Sequence, residues 1–330
     1  MINGKNSLAK KLPKIVKEIR NNPPTPVNYA YQKNISFSQM SIFRGCPHRW
    51  KLQYKDKIKR FTSSIHTVFG TAIHEVMQHY LDVSYERSFA AADREIDMED
   101  LFQERFIGEY QKQYKSNKDE HFSSATEMRE FFEDGVAILN WFKKKRSAYF
   151  SKKSTYLVGC EIPIVIAPNK MYNNVLYMGY LDIVTYHEAT DTFKIIDIKT
   201  STRGWRDQDK KNEDKQFQLL LYKQYFSEQY NIPLEKIEIE FFILKRKVLD
   251  WDDEKLMSPH QAYRVQTFIP PSGKIKLGRA KNAINSFINE CFNSSGKIKD
   301  ADYPKSPSKW NCNFCPYKED KEHCGEGIIY

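Results

Sequence analysis

A run of twenty-one residues, Gly179 to Lys199 (GYLDIVTYHEATDTFKIIDIK), limits what this chain can become more than any other stretch. Two β-type segments flank the polar turn HEATD, a pattern that predicts a hairpin. Asp182 lies near the middle of the first segment, Asp197 near the end of the second, and Lys199 two residues beyond it. Side chains alternate along a strand, so Asp197 and Lys199 share one face while Ile196 and Ile198 bury on the other. The hairpin can bring Asp182 alongside them. Two carboxylates and an ammonium meeting at one point can hold a divalent cation and a water beside a phosphate. Taken alone, an Asp before a Lys at a strand end is more often a solvated ion pair.

The surrounding pattern predicts the fold class. Ser36–Lys55 reads as helix, with Ser36 or Ser38 as cap and a break at Pro47 next to Cys46; Phe69–Val83 is amphipathic; residues 90–120 and 126–150 are helical. From about residue 155 the period changes to two. Strands are expected over 155–167, 175–186, 192–199 and 237–248, with a fifth in RVQTFIP. Helices cover Glu213–Gln229 and Ile275–Cys291. The expectation is an α/β chain: a mixed β-sheet core with an appended N-terminal helical region and a C-terminal Cys cluster. Four parts follow: a basic arm, read as solvated, over 1–34; a helical region carrying Cys46 and His74 over 35–154; the core over 155–295; and a Cys tail over 296–330.

Composition narrows the partners. The chain has 330 residues, 40% of them hydrophobic, which suffices for a sizeable core. The formal net charge of +10 favours a polyanion as partner without specifying the fold. No apolar stretch is long enough to span a membrane, and the N-terminus lacks the apolar core of a secretion signal, so a cytoplasmic setting is expected. The six cysteines (Cys46, Cys160, Cys291, Cys312, Cys315, Cys324) then point to metal rather than disulfides.

Several short pieces occur in one order: CPHRWKLQY, GTAIHEVMQHY with His74, GYLDIV, IIDIKTS, Gln218-x-x-x-Tyr222, and a final Cys-x-x-Cys…Cys. Together they resemble the PD-(D/E)xK nuclease superfamily, in its RecB-like, AddB-like iron–sulfur exonuclease branch. The resemblance implies a restriction-endonuclease-like fold. It implies that Asp182, Asp197, the Ile198 carbonyl and His74 bind Mg²⁺ or Mn²⁺. Lys199 would orient or deprotonate the attacking water, and Gln218 and Tyr222 would contact the scissile strand or brace Lys199. Where many relatives carry Glu beside the lysine, this chain has Asp197. Gln218 and Tyr222 are four apart on a helix and share a face, which packing alone also explains. Glu161 reads as a structural carboxylate.

The resemblance also implies a 4Fe-4S cluster held by Cys46, Cys312, Cys315 and Cys324. Spacing alone leaves Zn²⁺ in a Cys₄ site open, and His323 is a second candidate for the place of Cys324. Cys160 and Cys291 read as buried apolar thiols. In the loop after Lys199, Arg203, Trp205 and Arg206 are candidates for phosphate contact and base stacking, and Lys245, Arg246 and Lys247 for the same groove. Arg44 and Arg49 flank Cys46. The expected activity is a metal-dependent exonuclease on single-stranded DNA or duplex ends in recombination, repair or DNA processing. It would work alone or beside a separate helicase or recombination protein, since no nucleotide-binding phosphate loop is present. A structure-selective endonuclease, a non-catalytic DNA-binding subunit of a nuclease–helicase complex, and an RNA substrate are the alternatives.

Overall fold

The computed structural model describes residues 12–24, 33–58, 63–151, 153–172 and 174–325. Its centre is a mixed sheet of β1 (Lys33–Ile35), β2 (Thr155–Ile166), β3 (Val175–His187), β4 (Thr192–Ser201), β5 (Ile237–Lys245) and β6 (Val265–Phe268). β3 and β4 form the expected antiparallel hairpin, with Ile183 opposite Ile196 and His187 opposite Thr192. β2 runs antiparallel to β3 along one whole edge. The other edge is shared: β1 pairs in parallel at residues 175–177, and β4 pairs from Ile183 onward. Residues 178–182 therefore face an opening in the sheet. β4 and β5 are parallel, joined through α8 (Asp207–Lys211) and α9 (Glu213–Tyr230), and β6 closes the far edge antiparallel to β5.

Helices cover both faces, because β4 and β5 are apolar on both sides. On one face α2 (Phe37–Gly45), α9 and α10 (Lys274–Cys291) bury Phe43, Leu220 and Ile284 over Ile195 and Ile239. On the other, α4 (Ile65–Glu86), α6 (Met98–Ser116) and α7 (Ala125–Lys145) bury Phe69, Phe102 and Phe142 over Ile196, Ile198 and Phe242. The caps explain the boundaries. Ser64 starts α4, Asp97 separates α5 (Phe89–Glu95) from α6, and Ser124 starts α7, each side chain accepting a backbone N–H of the first turn. Pro47 does break the first helical run: α3 (Pro47–Trp50) begins afresh after Cys46. Gly135 lets α7 lie directly on α6, since a Cβ there would come within 2.2 Å of the Phe102 ring.

Two expectations change. β1 is a strand where the sequence predicts only the end of the basic arm. The basic arm is not simply solvated: α1 (Lys14–Asn21) buries Val16 and Ile19, and Arg20 donates to the carbonyls of Leu157 (2.7 Å) and Val158 (3.0 Å). Apolar residues at i and i+3 give this short basic helix one face to bury. Residues 1–11 and 25–32 of the arm lie outside the described residues.

Candidate active site

The β3–β4 ladder ends at Ile183 and Ile196, so Asp182 and Asp197 stand at the next register position, where the strands part. Asp182 spans the gap itself: its Oδ2 accepts the Ile198 N–H at 2.7 Å. Asp197 is 1% exposed, and neither carboxylate oxygen has a hydrogen bond of acceptable geometry. The Lys199 ammonium lies 2.7 Å from its Oδ2, an ion pair whose angles do not make a hydrogen bond. Alternation on β4 thus places Asp197 and Lys199 on one face, with Ile196 and Ile198 in the opposite core.

Two helices reach the opening from opposite faces. From α4, His74 brings Nδ1 to 3.8 Å from Asp182 Oδ2 and hydrogen-bonds the Ile198 backbone. One turn on, Gln78 donates to Glu161 Oε1 (2.6 Å) and to the Asp182 carbonyl (3.1 Å). From α9, Gln218 donates to the Tyr222 hydroxyl at 3.2 Å, and the Tyr222 ring passes over Gly179. A Cβ on Gly179 would lie 2.8 Å from that ring, so the glycine of GYLD is what allows Tyr222 to approach the acids.

The electrostatics are those of a charged cluster held under tension. Burial and then the Asp197 charge push Asp182 well above the usual carboxylate range, against the pull of Lys199. Burial raises Asp197 too, with Lys199 opposing. Burial pulls Lys199 down, but Asp197 and Asp182 outweigh it and its net shift is upward. Burial and the Lys199 charge lower His74 to about 3, so its imidazole is neutral and able to act as a ligand. Buried carboxylate oxygens without a hydrogen bond, beside a second carboxylate and a neutral imidazole, are the donor set a hard divalent cation satisfies. Asp182, Asp197 and His74 therefore fit Mg²⁺ or Mn²⁺ in the donors they offer. Among the described residues, their ligand atoms do not converge within 4.8 Å as a trio, whereas those of Asp320, Glu322 and His323 do.

Gln78 is the residue that sequence reasoning passed over. Its spacing from His74, four residues on one helix, was the signal that could have found it. It also brings in Glu161 of β2, which has φ of 51° and stands opposite Asp182.

The loop residues fare differently. Trp205 packs on Phe241 (ring centroids 4.7 Å apart), Gln266 binds its backbone N–H and carbonyl, and Lys215 lies 5.4 Å over the ring. It is a strut of the loop rather than a free stacking face. Arg206 is exposed and pairs with Asp209 at 3.6 Å, and Arg203 is exposed. Lys245 and Arg246 do not line a groove. Lys245 donates to the His260 carbonyl (2.7 Å), and Arg246 is buried against Asp134 (3.0 Å) and the Phe131 ring (3.7 Å). Lys247 pairs with Glu130 and the same Asp134. Arg44 pairs with Asp214 at 2.8 Å.

The fold brings Cys46, Cys312, Cys315 and Cys324 around one small cavity, although Cys46 precedes the others by more than 260 residues. Burial raises the Cys315 thiol, and Cys324 and Cys46 are close enough to add to the shift. Arg49, Leu52, Pro307, Asn311 and Tyr317 also line this cavity. His323 does not replace Cys324: its Nδ1 is 2.7 Å from Asp320 Oδ2, and its carbonyl receives His48 Nε2 at 2.8 Å. Cys291 is buried and Cys160 partly buried, neither beside another cysteine of this set.

Comparison with known proteins gives one family. The model of the PD-(D/E)XK nuclease superfamily matches residues 34–319, most of the chain. No curated protein matches the sequence. A crystal structure from Eubacterium rectale, described as a "putative exonuclease", is similar at 10% identity and a TM-score of 0.48, covering 93% of this chain and 95% of that one.

Proposed function

The chain belongs to the PD-(D/E)XK nuclease superfamily, and from that premise we propose that it is a Mg²⁺- or Mn²⁺-dependent deoxyribonuclease. We read it as an exonuclease of the RecB-like, iron–sulfur branch, acting on single-stranded DNA or duplex ends. The observation that carries the reading is Asp197, a buried carboxylate whose Oδ2 is paired with Lys199 and whose Oδ1 has no partner, beside Asp182.

When bound, the cation would acidify a water and draw charge from a phosphoryl oxygen. Asp182, Asp197, the Ile198 carbonyl and His74 would hold it. Asp182 fixes Ile198 through the N–H it accepts, and His74 meets the Ile198 backbone from α4. Lys199, held close to Asp197, places an ammonium where the attacking water loses a proton and the phosphate gains charge. Gln218 orients the Tyr222 hydroxyl toward the cluster, and Arg203 and Arg206 offer charge to the phosphate backbone at the mouth.

The four cysteines favour a 4Fe-4S cluster over zinc. Zn–S bonds of about 2.3 Å place tetrahedral thiolates about 3.8 Å apart. Among the described residues, no three of these sulfurs fall within 4.8 Å of one another. A cubane cluster binds each thiolate through a different iron and so suits the wider spacing.

The test is cleavage of end-labelled single-stranded and duplex DNA, with closed circles as control, in Mg²⁺, Mn²⁺ and chelator. Wild type should degrade open ends only with metal. Lys199→Ala and Asp197→Asn should lower the rate on the order of 10²–10⁴-fold. Full activity of Asp197→Asn would refute the site.

A further inference from the structure

The Cys-bearing tail holds two of the most exposed large apolar side chains among the described residues: Trp310 at 87% and Phe314 at 83%. Trp310 sits on α11 (Lys309–Cys312), and Phe314 in the turn between Cys312 and Cys315. Arg49 of α3 lies between them. It lines the hollow that Trp310 shares with Gly45 and Cys46, and also the groove that Phe314 shares with Gln53, Ser63 and Ser64. The groove measures about 700 Å³, and its walls are polar apart from Phe314, Cys315 and Pro316. Arg49 Nε is buried with no hydrogen-bond partner.

A protein-docking patch would be a continuous apolar surface with a polar rim. Here two isolated rings are separated by a guanidinium, hydroxyls and an amide. That alternation matches an unpaired nucleic-acid strand, whose bases stack on aromatics while its phosphates take up cations. The placement also fits. Ser64 caps α4, and His74 lies ten residues along that helix, about 15 Å at 1.5 Å per residue.

We propose that Trp310 and Phe314, with Arg49 between them, form a stacking platform for single-stranded DNA that leads the strand toward Asp182 and Asp197. The proposal rests on the nuclease reading and names where its substrate is gripped. Both rings are solvent-exposed, so their removal leaves the core untouched.

Binding of a labelled twenty-nucleotide oligothymidylate, followed by anisotropy in chelator, tests it with the full chain. Stacking worth about 1–3 kcal/mol per base predicts that Trp310→Ala and Phe314→Ala each weaken binding about 5- to 150-fold. Trp310→Phe should retain most of the affinity. Cleavage of a dinucleotide, too short to span from platform to metal site, should be unchanged, as should iron content. Wild-type affinity in the double alanine variant would overturn the proposal. So would an equal loss on blunt duplex DNA, or no wild-type binding at all. Concentration-dependent self-association that the double variant loses, with oligonucleotide affinity intact, would assign the rings to a second copy instead. A wild type that grips the oligonucleotide but cleaves nothing in any metal would refute the nuclease reading while the platform stands.

Discussion

Asp182 and Asp197 occupy facing positions that no ladder bond closes, and their mutual repulsion has a measurable cost. The folded-state pKa of Asp182 is raised by burial and by Asp197. For a carboxyl so raised, the stabilising contribution is full below its unfolded value, about pH 4, and is lost as pH rises through the folded value. The metal-free protein should therefore lose stability between mildly acid and neutral pH. Asp182→Asn should flatten that dependence and raise the metal-free Tm at neutral pH. Mg²⁺ at about a hundred times its Kd should add about 2.7 kcal/mol to the wild type and little to the variant. Thermal scans with and without chelator would show both effects; a variant less stable than wild type in chelator would contradict them. At this scale the acids and Lys199 were legible because a strand's period of two fixes faces. Trp205 was not, since its packing depends on Phe241 and Gln266, which lie far along the chain.

Elements show the same division. The long helices and β2 to β5 announce themselves through sustained period and caps, whereas β1 has three residues and no pattern to read. The basic run Lys245–Lys247 looked like a nucleic-acid contact because the partners of Arg246 and Lys247 lie on α7, over a hundred residues earlier. Arg246 is a buried tie between β5 and α7. Asp134→Ala leaves that guanidinium buried without its main partner, and unfolding in urea should show a loss of about 3–5 kcal/mol. Replacing both with apolar residues of similar volume should cost far less, and an equal loss in the pair would deny that the stranded charge is the cause.

The whole molecule is fastened at its two ends. His48 donates its N–H to the Pro304 carbonyl (3.2 Å), Asn311 Nδ2 donates to the Gly45 carbonyl (2.7 Å), and the Tyr317 hydroxyl binds the Ile58 carbonyl. Tyr303 packs on Trp50 and Phe43. Cys315→Ser should lose iron from anaerobically purified protein and lower Tm, because a cross-link closing so long a loop restricts the unfolded chain strongly; full iron content would refute the cluster. The return of the tail to Cys46 was readable through the resemblance, which gave one cluster to Cys46, Cys312, Cys315 and Cys324; the contacts that fasten it there, Asn311 on Gly45 and Tyr317 on Ile58, were not, because they span over 240 residues.

The same fastening sets a timetable for synthesis. His74, both acids, Lys199 and Tyr222 all emerge from the ribosome well before Tyr303, Asn311 and Tyr317, so the segment from Phe43 to Ile58 waits for these neighbours through the synthesis of some 240 residues. A product cut off before Tyr303 would carry the proposed metal-binding residues on a scaffold without these contacts.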